Sequence, residues 1–503
     1  MRLSWLALIF LTSCTQLQGP YQDPQAEVPC SWKNGVTKEE TIDLEAWWEA
    51  FNDPMLNALQ QQGIENNQTA LAAFQRMMQA YYQARFRLGN LAPQLTLNPT
   101  YFRQGSSIAG LRPAALAGAQ NNLPMQNGVA PAAGALPSTA DAQVNRRVMV
   151  TNLNLPLNFS WELDLWGKLS QNYLNAYFQY ESQNFSWLQA LNQLTADIAV
   201  NYYLLRGFDS EIEIVDQIIF SRQENLNINK VRYQSGLINY LDVTRAEVDY
   251  FAAKADKESL TRQRELQVNL LALLVGAPAS NLEIPFSPLA KELPPTIPTE
   301  IPSRLLVRRP DILSRLNQLK SAYAAIGVAY AEFFPDLTLS GAVGYASNRL
   351  STLFDWQSRL WQMAASIMQI IYDGGQLKAN LHQTAAAYAE SVSLYEESVL
   401  TAFKEVEDSL VNIKQRHLQE VELVHTVVAA QETYDVAKSR YDAGLINYLE
   451  VVIAERDLLN YSRSMAIVHA QRFVDTALLA KSLGGGWESL NPSLNFDNRS
   501  KVN

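Results

Sequence analysis

The sequence predicts an α+β membrane protein made from an internally duplicated unit, whose strands close only when several copies associate. Three observations carry that prediction. The segment Lys230-Val-Arg-Tyr-Gln-Ser-Gly-Leu-Ile-Asn-Tyr-Leu-Asp-Val243 returns 208 positions later as Lys438-Ser-Arg-Tyr-Asp-Ala-Gly-Leu-Ile-Asn-Tyr-Leu-Glu-Val451. Each copy lies between two long helical patterns, so each reads as the turn of a helical hairpin. The stretch Asn152 to Asp164 alternates as a strand, while no later run of 18 or more apolar residues offers a spanning helix.

The elements follow in order. Residues 1–13 carry one positive charge and a short apolar run and read as a signal peptide. Leu11-Thr-Ser-Cys14 has the form of a bacterial lipobox, which makes Cys14 the acylated first residue of a lipidated segment, 14–53. The other cysteine, Cys30, then has no partner, so an export compartment is implied without a disulfide framework.

The first repeat covers 54–275 and the second 303–483, joined by a proline-rich linker, 276–302, expected to wrap outside the helices. Each repeat reads helix, strand, strand, long helix, turn, helix. The first helices are predicted over 54–88 and 303–331, and the strands over about 93–103, 148–165, 335–347 and 359–373. In the second of these strands Leu153, Leu155, Leu157, Phe159, Trp161 and Leu163 share one face. Asn152, Asn154, Asn158, Ser160, Glu162 and Asp164 share the other. That alternation suits a barrel strand with lipid outside and water inside; a half-buried strand of a soluble sheet has the same period. Residues 104–147, rich in Gly, Ala, Pro and Asn, form an inserted loop at the extracellular end.

Helical hairpins are predicted over 169–275 and 376–483. From Leu169 to Ser235 there is no proline, and Tyr173, Tyr177, Tyr180, Trp187, Leu191, Leu194, Ile198 and Leu205 keep a 3-4 spacing, the mark of a supercoiled seam. Four strands cannot close a barrel, and open edges in lipid strand backbone groups without partners. An oligomer is therefore required, with dimer, trimer and tetramer all open at this level. The tail, 484–503, is polar and aperiodic.

A net charge of −10 excludes a nucleic-acid footprint. His382, His417, His425 and His469 lack metal spacing, and Gly484–Gly486 lacks the Lys-Ser/Thr of a phosphate loop, so neither an enzyme nor a cofactor is expected. The candidate functional residues lie at the turns. Gly236 and Gly444 end long helices where a left-handed φ favours glycine. Leu237, Ile238, Leu445 and Ile446 are apolar at turns that water would otherwise reach. Asp242 and Glu450 begin the returning helices, where a carboxylate also complements the helix dipole.

Taken together, several motifs carry a resemblance. They are Trp47-Trp-Glu-Ala-Phe-Asn-Asp-Pro54, Trp161-Glu-Leu-Asp-Leu-Trp-Gly-Lys168, Arg308-Arg-Pro-Asp-Ile312, Ile326-Gly-Val-Ala329, Phe333-Phe-Pro335, both Arg-Tyr-x-x-Gly-Leu turns and Gly484-Gly-Gly-Trp487. In this order, after a lipobox, they resemble the outer-membrane factors of the TolC superfamily, in the lipoprotein branch typified by OprM and NodT. The resemblance implies a homotrimer with a 12-stranded transmembrane β-barrel, continuous with a long periplasmic α-helical barrel and an equatorial domain. It also implies a passive exit duct for small molecules such as drugs. The implied partners are a periplasmic adaptor (membrane fusion) protein, an inner-membrane transporter of the resistance-nodulation-division type and outer-membrane lipid.

By the same resemblance Glu450 corresponds to an acidic entrance residue, and Tyr441 to a tyrosine of the entrance network. The network's arginine corresponds to Ile446, and its next acidic position to Ile453. The expectation is a closed resting tip held mainly by helix packing. A type I protein-secretion duct and a structural periplasmic lipoprotein are the rival readings.

Overall fold

A computed structural model describes residues 21–24, 28–34, 46–106, 148–289, 293–297 and 302–486. Cys14, most of the inserted loop (107–147) and Trp487 with the tail lie outside the described residues. The helices are α1 Pro54–Asn66, α2 Gln68–Gly89, α3 Lys168–Gln234, α4 Tyr240–Leu274, α5 Leu305–Arg308, α6 Pro310–Ala331, α7 Gln376–Asp442 and α8 Tyr448–Ser482. The strands are β1 Gln94–Leu97, β2 Thr100–Ser106, β3 Val148–Leu163, β4 Asp336–Ser347 and β5 Arg359–Met368. The described residues divide into two compact units, one holding 88–106, 148–170 and 330–377, the other those within 21–87, 171–329 and 378–486.

The first unit is an antiparallel sheet. The expected strand at 93–103 arrives as β1 and β2, both paired to β3. Leu97 opposes Leu157 and Thr100 opposes Asn154, so the register runs straight through the gap. The interruption has a local cause: Asn98 N–H bonds Pro156 O at 3.4 Å, but Pro156, opposite it on β3, has no N–H to give back to the ladder. The sheet therefore has four lanes, β1/β2, β3, β4 and β5. The last strand also stops at Met368, short of the expected 373.

Side chains sort across these lanes. Leu97, Leu157, Val343 and Trp361 form one cross-strand row on one face, and Leu95, Phe159, Gly341 and Met363 another. The opposite face carries the rows Thr96, Asn158, Ala342, Gln362 and Gln94, Ser160, Ser340, Ala364. Leu95, Leu97, Val343, Trp361 and Met363 are all exposed in the single chain. The apolar face is thus bare, and β1/β2 and β5 are left as edges.

In the second unit the apolar core forms where Leu56 and Leu59 of α1 meet Leu188, Ile198, Tyr202, Tyr203 and Leu205 of α3, Leu271 of α4, Ile312 and Leu319 of α6, and Val399, Ala402 and Val406 of α7. The single helix expected over 54–88 breaks at Asn67. Its side chain accepts from the Ala70 N–H at 2.9 Å to cap α2 and donates to Leu274 O at 2.8 Å. The linker is pinned by charge. Arg264 donates to Ile284 O at 2.8 Å, Arg206 to Pro285 O at 2.9 Å, and both pair with the fully buried Asp209.

Away from that core the apolar clusters shrink, first to Ile212, Val215, Leu260 and Leu459, then to Leu226, Val243 and Ala246. Polar contacts take over the α3–α8 packing there. Arg463 Nη2 lies 3.0 Å from Glu211, and Arg222 Nε lies 3.2 Å from Glu455. Burial pushes the Glu211 carboxyl above the ordinary range, and Arg463 pulls it down without cancelling the rise. A carboxyl raised in this way contributes most to stability below its unfolded pKa, and that contribution is lost as pH rises through the folded value. Relative to the parent, Glu211→Gln is therefore expected to melt higher at pH 7 than it does at pH 4. Helical circular dichroism melts at the two pH values check this; an advantage larger at pH 4 would reverse the sign.

Candidate functional site

The duplication is reproduced to the residue at the turns. Helices α3 and α7 are each 67 residues long, and α4 and α8 each 35. The connections are 235–239 and 443–447. In the first, Leu237 N–H bonds Arg232 O and Gly236 N–H bonds Tyr233 O, both at 2.9 Å; in the second, Leu445 bonds Arg440 O and Gly444 bonds Tyr441 O, again both at 2.9 Å. Paired bonds of this kind close a helix end only if the residue after the cap is left-handed. Gly236 and Gly444 have φ of 73° and 71°, with open space around both, so the demand on glycine is conformational and not steric.

This cap throws the next residue outward. Leu237 is 73 % exposed and Leu445 70 %. Ile238 turns inward onto Leu226, Val243 and Ala246, and Ile446 is half-buried. Tyr233, Tyr240, Leu241 and Leu449 extend the exposed apolar surface. The returning helices start alike, with Asp242 N–H on Asn239 O at 3.0 Å and Glu450 N–H on Asn447 O at 3.3 Å. Their carboxylates differ in setting: Asp242 is half-buried and Glu450 exposed.

Tyr441 is held, though not by the position where an arginine is missing. Arg232, on the first hairpin, donates to Tyr441 Oη at 3.0 Å, with its guanidinium 5.3 Å from the ring centre. One helical turn back, the fully buried Asn229 accepts from the same hydroxyl at 3.5 Å. Asn225 donates to Tyr448 Oη at 2.5 Å, and the Tyr441 and Tyr448 rings are 5.6 Å apart. Burial is the main reason that the Tyr448 hydroxyl is held well above its usual range, with Glu455 and Asp249 adding to it. The tip is therefore joined by polar bonds as well as by packing. Residues Arg222, Asn225, Asn229, Arg232, Tyr448 and Glu455 are not legible as a group in the sequence.

Residues 59–277 and 301–485 match the family profile described as Outer membrane efflux protein. The chain belongs to that family. The solvent efflux pump outer membrane protein SrpC of Pseudomonas putida is 29 % identical over 496 residues, covering 96 % of this chain and 98 % of that one. The outer membrane protein OprJ of Pseudomonas aeruginosa is 28 % identical over 489 residues, covering 96 % and 95 %. Among solved structures, the open state of the MtrE outer membrane channel of Neisseria gonorrhoeae superimposes with a TM-score of 0.77 at 26 % identity, covering 94 % of this chain and 98 % of that one. The protein is an outer-membrane component of an efflux system. The motifs that carried the resemblance, apart from Trp47–Pro54 and the last two residues of Gly484–Trp487, fall within the matched residues.

Among the described residues no helix is long and apolar enough to cross a membrane.

Proposed function

We propose that three copies associate into a passive exit duct, each contributing its four lanes of sheet to a 12-stranded transmembrane β-barrel and its hairpins to a periplasmic helical tunnel with an equatorial domain. The observation that carries this reading is the sheet: one face apolar and bare, the other polar, with both edges unpaired by any described strand. Such a sheet is stable in lipid only when its edges are closed by other copies. The exposed apolar residues Leu418, Val421, Val428 and Val436 of α7, and Val248 and Phe251 of α4, are the helical counterpart.

In this reading Cys14 is acylated and anchors the chain to the outer membrane. Gly236, Leu237, Ile238, Gly444, Leu445 and Ile446 form the tips that receive a periplasmic adaptor protein, which links the duct to an inner-membrane transporter of the resistance-nodulation-division type. Tyr441, Asp242 and Glu450 lie at the periplasmic entrance, and small molecules such as drugs are the cargo.

Conductance across planar bilayers tests the duct. Purified protein is expected to give discrete, cation-selective channels. Glu450→Gln removes one exposed carboxylate per copy and should lower cation over anion selectivity severalfold. No conductance would end the duct reading. Conductance with unchanged selectivity would leave Glu450 as a helix-terminal charge only.

A further inference from the structure

A cavity of about 780 Å³ opens between α2, α3 and α6, at the opposite end of α3 from its turn. Its size suits a small organic solute. Two alanines, Ala80 and Ala322, are its apolar lining. The rest is amides, serines and Arg76, with no carboxylate among the described residues that line it. The walls follow from helical spacing: Arg76, Gln79 and Gln83 share one face of α2, and Asn175, Gln179 and Gln183 one face of α3.

The packing holds this shape in place. The floor is a pair of buried serines, Ser182 and Ser321. Ser182 Oγ lies 3.0 Å from Ser314 Oγ, and Asn175 Nδ2 donates to Ser321 O at 2.8 Å, which ties α3 to α6. Phe74 packs edge-on to Trp187 at 5.4 Å and Tyr81 to Tyr180 at 5.5 Å, which ties α2 to α3. Phe74 and Tyr81 each precede a cavity residue, Arg76 and Gln83, by two positions, about 200° round the helix. The aromatic contacts therefore fix which face of α2 the cavity receives. The groups at the mouth are left uncommitted. Arg76, Gln79, Gln83 and Gln183 make no hydrogen bond or ion pair with any described residue. A second cation stands behind Gln318, where Arg315 donates to its Oε1 at 2.9 Å.

These groups define a chemistry. A guanidinium fork matches a carboxylate with two parallel bonds. A glutamine amide both donates and accepts, as a hydroxyl does, so a row of amides suits a solute rich in hydroxyls. A cationic solute would meet Arg76 with no acidic lining to offset it. An apolar one would strip water from the amides and replace none of its bonds. We propose that the cavity binds small organic anions rich in hydroxyls, of the sugar-acid class, with Arg76 on the carboxylate and the glutamines on the hydroxyls, as a station on the way through the duct. The inference rests on the duct reading for the route of the solute, and on the cavity alone for its binding. Arg76, Gln79 and Gln83 are exposed, so water competes for them and the solute is released readily, as a conducting path requires.

The test is saturation-transfer NMR on full-length protein in a detergent without a sugar headgroup. The probes are glucuronate, glucose, which lacks the carboxylate, and propionate, which lacks the hydroxyls. Glucuronate is expected to bind saturably and more tightly than either. Arg76→Gln should raise its Kd at least about tenfold. Arg85→Gln, nine positions on and on the opposite side of α2, should leave it unchanged. Ala80→Phe, which fills the cavity, should abolish binding and so checks the site without touching Arg76. Saturable binding that survives Arg76→Gln or Ala80→Phe overturns the site, as does the absence of glucuronate binding to folded protein. Glucose or propionate binding as tightly as glucuronate overturns the sugar-acid class. Binding in detergent needs no conduction. Protein that binds glucuronate but forms no channels keeps the site and loses the duct, and protein that conducts but binds none keeps the duct and loses the site.

Discussion

A chain carrying Leu237→Asp and Leu445→Asp together is expected to lose export while assembling and folding as the parent does. Both leucines follow a left-handed glycine and point away from their own hairpins, so neither contributes to the cores that hold the helices together. Their removal should cost the folded chain almost nothing. Docking is different. A leucine side chain fully buried contributes about 1.5–3 kcal/mol, and a carboxylate carried into the same apolar contact adds a desolvation penalty. In the proposed trimer, with two tips in each copy, the loss is multiplied, so cross-linking to the proposed adaptor should fall below detection. Normal export by the double variant would show that these leucines dock nothing. Loss of oligomers would show that they pack tip against tip inside the ring.

The features legible in the sequence are those fixed by local periodicity. The hairpin turns are visible because glycine, two apolar residues and an Asn cap recur at the same spacing, and the backbone bonds at Gly236 and Gly444 follow from that spacing alone. The lane of β3 is visible because alternation survives whether or not the faces are covered. What eluded local reading depends on contacts between distant segments. Asn67 looks like any polar residue inside a helical pattern until Leu274 O lies beside its amide. The gap between β1 and β2 is hidden in the alternation, because it depends on Pro156 of β3 lying opposite Asn98. At the tips, the family resemblance pointed to Tyr441 but not to its partner. Arg232 and Arg440 are equivalent by repeat, and only the packing of α3 against the second hairpin decides that Arg232 reaches Tyr441.

That same packing sets the second large effect, at Arg222 and Glu455. Arg222 is 9 % exposed and Glu455 8 %, the apolar clusters nearby are small, and Arg222 also donates to Asp249 O at 2.8 Å while Ser221 Oγ donates to Glu455 at 3.2 Å. Arg222→Met leaves Glu455 buried against an apolar side chain, and removing one partner of a buried pair costs about 3–5 kcal/mol. Because the main core lies in another part of the helical unit, around Tyr202 and Leu271, the damage should stay local. Amide exchange is expected to quicken across 215–235 and 448–460 by a factor on the order of 100–1000, with 188–205 unchanged. The double variant Arg222→Met/Glu455→Leu should recover most of that protection, since replacing both charges leaves none to desolvate. Recovery would mean that apolar packing can replace the charged rung, and that the single change is costly because it leaves one buried charge unpaired. If instead the double variant is as loose as the single one, the polar pair itself supplies the local stability, and shape filling by apolar side chains cannot stand in for it.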